Sequence, residues 1–191
     1  MTDFARITLV TGGVASGKSA WAERLVLSSG LSPVYIATAQ PLDDEMRAKV
    51  ARHKARRGGQ WRLIEAPLDL PPALAQLGPG EIALVDCLTM WLSNHMMADH
   101  DPMNLAPALI EALSAQRAPV VMVTNEVGLG GINVDPLARR FADAQGALNQ
   151  QIAAHAELVV AVMAGLPLAL KGQIPGHTPS HTPAHNPEAP A

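Results

Sequence analysis

Short apolar runs alternate along the chain with longer segments whose apolar residues recur every three or four positions. Arg6–Thr11 (RITLVT), Val34–Thr38 (VYIAT), Trp61–Glu65 (WRLIE), Glu81–Asp86 (EIALVD), Pro119–Thr124 (PVVMVT) and Leu158–Met163 (LVVAVM) read as strands, the last of them closing the series. Ala20–Leu27, Asp43–Arg57, Pro67–Leu77, Leu88–Met97, Leu105–Gln116 and Pro136–Ala154 carry helical spacing. Trp21, Leu25 and Val26 share one side of the first helix, and Met46, Val50 and His53 form a stripe on the second. That second helix starts acidic (Asp43, Asp44, Glu45) and ends basic (Lys54, Arg56, Arg57), which complements its dipole, before Gly58-Gly59 stops it. Buried-type strands between helices predict an α/β fold with a mostly parallel central sheet covered on both faces.

The pattern ends near Lys171. Residues 172–191 (GQIPGHTPSHTPAHNPEAPA) carry a proline at 175, 179, 183, 187 and 190, and Ile174 is their only aliphatic side chain larger than alanine. The expectation is one domain over 1–171 and a disordered Pro/His-rich tail over 172–191. The tail reads as a spacer, with weak metal binding by His177, His181 and His185 as the alternative. Composition adds exclusions. With 191 residues, 48% hydrophobic and 16% charged, the chain can bury a sizeable core. Fourteen Lys+Arg against 17 Asp+Glu is no general nucleic-acid coat. The lone Cys87 can make neither an internal disulfide nor an all-cysteine zinc site, and reads as a buried small residue. No apolar run is long enough for a membrane span and no signal-peptide layout opens the chain, so a cytoplasmic protein is expected.

Gly12-Gly13-Val14-Ala15-Ser16-Gly17-Lys18-Ser19 fits G-x-x-x-x-G-K-[ST], with an apolar strand entering and a helix leaving. Glycines let backbone N–H groups turn toward an anion, and the helix aims its positive end at the same place. Lys18 can then reach the terminal phosphates and the Ser19 hydroxyl can ligate Mg²⁺. Asp86, ending its apolar strand, suits the carboxylate of a Walker B magnesium contact; an ordinary strand end is the plain alternative. Asn125, Glu126 and Gly128 follow the Pro119–Thr124 strand, at the edge where open α/β sheets bind ligands. His53 lies among Arg47, Lys49, Arg52, Lys54, Arg56 and Arg57. Such a run is usually a solvated face, and a histidine on an apolar stripe is usually core. The same composition permits covalent catalysis, since nearby cations favour a neutral, nucleophilic imidazole and can offset charge on phosphate oxygens. Arg139 and Arg140 either meet phosphates or lie on a solvated helix face. His95, His100 and His155 carry no assignment.

TGGVASGKS (Thr11–Ser19), YIATAQPLDDEM (Tyr35–Met46), the Arg52–Lys54 and Trp61–Glu65 elements, LVDCLTMW (Leu84–Trp91), VTNEVGLG (Val123–Gly130) and LARRFADAQGALNQ (Leu137–Gln150) occur in that order. Together they resemble the bifunctional adenosylcobinamide kinase / adenosylcobinamide-phosphate guanylyltransferase family of cobalamin biosynthesis, over roughly residues 6 to 171.

The resemblance implies a P-loop NTPase-like three-layer fold and a homotrimer. It implies phosphorylation of adenosylcobinamide by ATP or GTP, then transfer of GMP from GTP through a histidine–GMP intermediate, giving adenosylcobinamide-GDP and pyrophosphate. The matching histidine is His53. Some relatives have two adjacent histidines there, and here the first position is Arg52. Carried over by position, the nucleotide-binding residues are Thr11, Gly12, Gly13, Val14, Ala15, Ser16, Gly17, Lys18 and Ser19, then Ala37, Thr38 and Ala39, then Lys54, Ala55, Arg56 and Arg57, with Glu65 and Asp86 as acidic positions. Asp86 stands where some relatives have Glu, one methylene longer, which favours a water-bridged metal contact over direct ligation. A regulatory or assembly ATPase without covalent nucleotide chemistry is the competing reading.

Overall fold

The computed structural model describes residues 4–40, 58–128, 131 and 134–176. The predicted helix Asp43–Arg57, with His53 and Lys54–Arg57, and the tail from residue 177 lie outside the described residues.

Strands β1 (Ile7–Thr11), β2 (Ser32–Ala37), β3 (Arg62–Glu65), β4 (Glu81–Asp86), β5 (Val120–Val123), β6 (Leu158–Met163) and β7 (Leu166–Lys171) form one seven-stranded sheet in the order β3-β2-β4-β5-β1-β6-β7. The first six are mutually parallel and β7 runs antiparallel to β6. The described helices are α1 (Lys18–Ser28), α2 (Leu70–Leu74), α3 (Leu88–Met97), α4 (Leu105–Ala115) and α5 (Pro136–His155).

Alternation along the strands sorts the core into two layers. On one face Leu9, Ile36, Val85 and Met122 pack against Leu74 of α2, Trp91 of α3, Leu109 of α4 and Ile152 of α5. On the other, Val10, Leu84, Val121 and Val160 pack against Trp21, Leu25 and Val26 of α1. The expected α/β sheet covered on both faces is therefore present. Helix α5 starts where its sequence says it should. Pro136 takes the first turn, and the Asp135 carboxylate accepts hydrogen bonds from the N–H groups of Leu137 and Ala138.

Three expectations need correction. Leu158–Met163 is not the last strand, because β7 follows it through a two-residue turn. Ala164 and Gly165 both adopt positive φ (51° and 79°), the backbone of a tight hairpin turn. An alanine at the first turn position hides that signal, and Leu166, Leu168 and Leu170 stay exposed, so β7 never looks like core. The helix expected over Pro67–Leu77 is only Leu70–Leu74, since Pro71 and Pro72 are confined to its first turn. The tail's first residues are not free of the core either: Ile174 packs, half-buried, against the layer on the α1 side.

Candidate nucleotide site

Six parallel strands bring their carboxyl ends to one edge, and the chemistry expected from sequence gathers there. The chain leaves β1 through Gly12 and turns into α1, whose first residue is Lys18. Positive φ at Ala15 (58°) and Gly17 (92°) curls the backbone so that its N–H groups line a concave face. The loop rests on its neighbours. The Gly165 N–H donates to the Ser16 carbonyl at 2.8 Å, so the β6–β7 turn buttresses it. A Cβ on Gly12 would lie 2.5 Å from the Val162 carbonyl oxygen and 2.7 Å from Ser16 Oγ. Gly12→Ala is accordingly expected to cost about 1–3 kcal/mol through overpacking. It should also reduce the rise in melting temperature that saturating GTP produces in wild type; an unchanged shift would contradict this account of the loop.

Loop residues Val14–Ala20, with Asp86, Cys87 and Asn125, line a cavity of about 280 Å³, near the lower end of small-molecule sites. Lys18 is buried and its ammonium donates to the Gly13 carbonyl at 3.0 Å, across the loop it will serve. Ser19 Oγ lies 3.4 Å from Asp86 Oδ1. The Tyr35 hydroxyl donates to Asp86 Oδ2 at 2.8 Å and holds the carboxylate from the far side. Ser16 Oγ and Asn125 Oδ1 are buried without a hydrogen-bond partner among the described residues, as groups awaiting a polar ligand would be.

A hydroxyl beside a carboxylate is a hard-oxygen pair suited to Mg²⁺, which keeps its remaining positions for phosphate oxygens and water. Among the described residues no group of three or more His, Cys, Asp or Glu could cage a metal by itself. The hydroxyl–carboxylate pair fits an ion that shares its coordination with nucleotide phosphates.

Cys87 follows Asp86 and is half-buried. Burial foremost, then the Asp86 charge, pushes its thiol from the usual 9.0 up to about 11. Thiolate, the reactive form, is then ~100-fold scarcer at pH 8 than in an unperturbed cysteine. Native protein is expected to resist N-ethylmaleimide at pH 8 and to react readily in denaturant; fast native labelling would refute this.

The remaining sequence candidates separate. Thr38 is fully buried, and its hydroxyl both accepts from the Cys87 N–H and donates to the Cys87 carbonyl, each at 2.7 Å. Its side chain braces β2 against β4 and leaves no surface for a ligand, while Ala37 and Ala39 are half-exposed beside it. Glu65 is exposed at the end of β3, with β2, β4 and β5 between it and β1, roughly four strand spacings (~19 Å) from the phosphate loop. Arg140 is exposed on α5, and Arg139 donates to the Val134 carbonyl, so neither joins the cavity.

Some supporting residues escape a local reading. Asn94 of α3 is buried and donates to the carbonyls of Thr38 and Pro67, both at 2.8 Å, tying together the segments that leave β2 and β3. Gln145 and Asn149, one turn apart on α5, form a buried network with Thr124 that reaches the residues after β5. The available signal was polar residues at i, i+4 on the buried stripe of a helix, next to Leu148 and Ile152.

Comparison with known proteins agrees with this arrangement. The family model described as cobinamide kinase / cobinamide phosphate guanyltransferase matches residues 8–170. The chain is 46% identical over 169 residues to the bifunctional adenosylcobalamin biosynthesis protein CobP of Pseudomonas aeruginosa, covering 86% of this chain and 97% of that one. It is 41% identical over 179 residues to the bifunctional adenosylcobalamin biosynthesis protein CobU of Escherichia coli K12, covering 85% and 98%. A solved ATPase from the type III secretion system of pathogenic bacteria shares the fold at a TM-score of 0.51 and 10% identity, covering 86% of this chain and 56% of that one.

Proposed function

Because the chain belongs to the cobinamide kinase / cobinamide phosphate guanyltransferase family, we propose how its residues divide the two reactions. The protein is a bifunctional enzyme of cobalamin biosynthesis that phosphorylates adenosylcobinamide and joins a guanylyl group to the product. The observation that carries the assignment is the meeting of Lys18, Ser19 and Asp86 in one cavity at the carboxyl edge of the sheet.

In the kinase step the amides of Thr11–Ser19 hold the phosphates of ATP or GTP, and Lys18 offsets charge on the terminal phosphoryl group. Ser19, and Asp86 through a bridging water, would hold Mg²⁺, which would supply charge neutralisation of the phosphates. The adenosylcobinamide hydroxyl attacks in line and the nucleoside diphosphate leaves.

In the second step His53 attacks the α-phosphorus of GTP and pyrophosphate departs. A phosphate oxygen of adenosylcobinamide phosphate then attacks the His53-bound phosphorus, giving adenosylcobinamide-GDP and free imidazole. Two inversions leave net retention at phosphorus. Lys54–Arg57, Ala37, Ala39 and Glu65 serve the nucleotide outside the phosphate cavity, while Thr38 supports that turn from beneath through Cys87. The enzyme works as a cytoplasmic homotrimer, with catalysis confined to 1–171 and the Pro/His-rich residues 172–191 as a spacer.

The test uses α-labelled GTP with Mg²⁺. The protein should acquire label that withstands alkali and is released by acid, as a phosphoramidate is. Adding adenosylcobinamide phosphate should move that label into adenosylcobinamide-GDP. Protein that never becomes labelled, or label that adenosylcobinamide phosphate cannot discharge, would reject the covalent route.

A further inference from the structure

Glu126 has a geometry that neither half of the scheme yet uses. It follows β5, which lies between β4, ending in Asp86, and β1, ending at the phosphate loop. Adjacent strands are ~4.8 Å apart, so the chain beyond β5 starts about one strand spacing from each. In an open α/β sheet ligands bind in the crevice outside the carboxyl ends of the strands, which is the edge this turn occupies.

The turn is pinned on three sides. The Asn125 N–H donates to Thr89 Oγ1 at 2.9 Å, the Asn125 carbonyl accepts from Asn149 Nδ2 at 3.1 Å, and the Glu126 N–H donates to the Gly12 carbonyl at 3.2 Å. The carboxylate is oriented as firmly. Its Oε1 accepts from the Thr11 hydroxyl at 2.6 Å and from Asn149 Nδ2 at 3.2 Å. Asn149 is in turn fixed through Oδ1, which accepts from Thr124 and Gln145. Among the described residues no hydrogen bond reaches Oε2, and no cation forms an ion pair with Glu126. A half-buried carboxylate with one oxygen held by two donors and the other open is placed to take a proton. Its neighbour Asn125 lines the cavity together with Lys18, Ser19 and Asp86.

We propose that Glu126 is the carboxylate that receives the acceptor's hydroxyl proton during phosphoryl transfer. The acceptor oxygen forms its bond to the terminal phosphorus, the bond from that phosphorus to the bridging oxygen breaks, and the nucleoside diphosphate leaves with the electron pair. The hydroxyl proton passes to Glu126 Oε2 and returns to solvent after product release. Asn149 and Gln145 are positioning residues for this group, acting through the β5 turn. Their amide groups tie the inner face of α5 to Thr124, Asn125 and Glu126.

The assignment rests on the kinase reading and is tested beside it in one preparation. In Glu126→Gln, kcat for adenosylcobinamide phosphorylation should fall about 100-fold or more, with KM for ATP within about 2-fold of wild type. Guanylylation of supplied adenosylcobinamide phosphate should stay within about 2-fold, and Glu126→Asp should restore part of the kinase rate. A Gln variant that phosphorylates at the wild-type rate would overturn the proposal. So would one that loses both activities together with a lowered melting temperature, which marks a structural brace. Wild type that phosphorylates nothing would instead overturn the kinase reading, so the two failures are distinguishable.

Discussion

His53→Ala is expected to stop the reaction sequence halfway. Supplied with adenosylcobinamide, ATP and GTP, the variant should accumulate adenosylcobinamide phosphate and form no adenosylcobinamide-GDP. On the proposed covalent route His53 is the nucleophile, so its removal should lower guanylylation by more than about 10⁴-fold. Label from α-labelled GTP should disappear from the protein. The kinase rate should persist, since phosphoryl transfer to a hydroxyl needs no enzyme nucleophile. Phosphate accumulation by chromatography and acid-labile label on the denatured protein are independent readouts. A variant that still acquires acid-labile label would place the nucleophile elsewhere, and one that loses both activities would make His53 part of the shared architecture.

Lys18→Ala should produce the opposite stall. The Lys18 ammonium is buried and already bonded across the loop to Gly13, so it enters the reaction preorganised. In the proposed scheme this charge acts on the terminal phosphate, so its removal is expected to lower the kinase kcat by about 10³-fold, roughly 4 kcal/mol of transition-state stabilisation. Arginine should not restore it, because a planar guanidinium fork does not reproduce the compact point charge of an ammonium. The decisive measurement is single-turnover formation of adenosylcobinamide phosphate at saturating ATP. Retention of more than a tenth of the wild-type rate would remove the phosphate loop from the kinase step. Measuring adenosylcobinamide-GDP from supplied adenosylcobinamide phosphate in the same variant would also show how far the second reaction shares that loop.

Lys18, Ser19 and Asp86 converge within the described residues, and the hydroxyl–carboxylate spacing there is 3.4 Å. His53 lies outside them, so its role rests on the ordered motifs and on family membership. The β2–β3 connection that contains it starts at the carboxyl edge, beyond Ala37, where the phosphate cavity also opens.

Much of this was legible in the chain itself. The phosphate loop could be read because its parts are contiguous: strand, glycines, lysine, serine and helix follow within one turn of chain. Asp86 was legible because an apolar run that ends in a carboxylate is unusual enough to notice. Strands β1, β2, β4, β5 and β6 were legible because their centres are buried on both faces and read as apolar runs, whereas the short edge strand β3 is mostly exposed and was read from its β-rich residues alone. By contrast β7 is an exposed edge strand whose turn begins with alanine, so neither burial nor turn chemistry announced it. Thr38 matched a nucleotide-contacting turn by position, yet the fold turns its side chain inward onto Cys87.

By itself, then, the sequence determined the class of chemistry, the alternation of strands and helices, and the identity of the phosphate-binding loop, all of which reside in short contiguous stretches. Only the tertiary structure decided which distant groups complete that loop. It set Tyr35 against Asp86 across 51 residues and Glu126 against Thr11 across 115. It also placed the β6–β7 turn beneath Ser16 and Gly17. The physical reason is that these contacts follow from the order of strands in the sheet, which arises from packing two apolar layers at once and leaves no local periodicity to read.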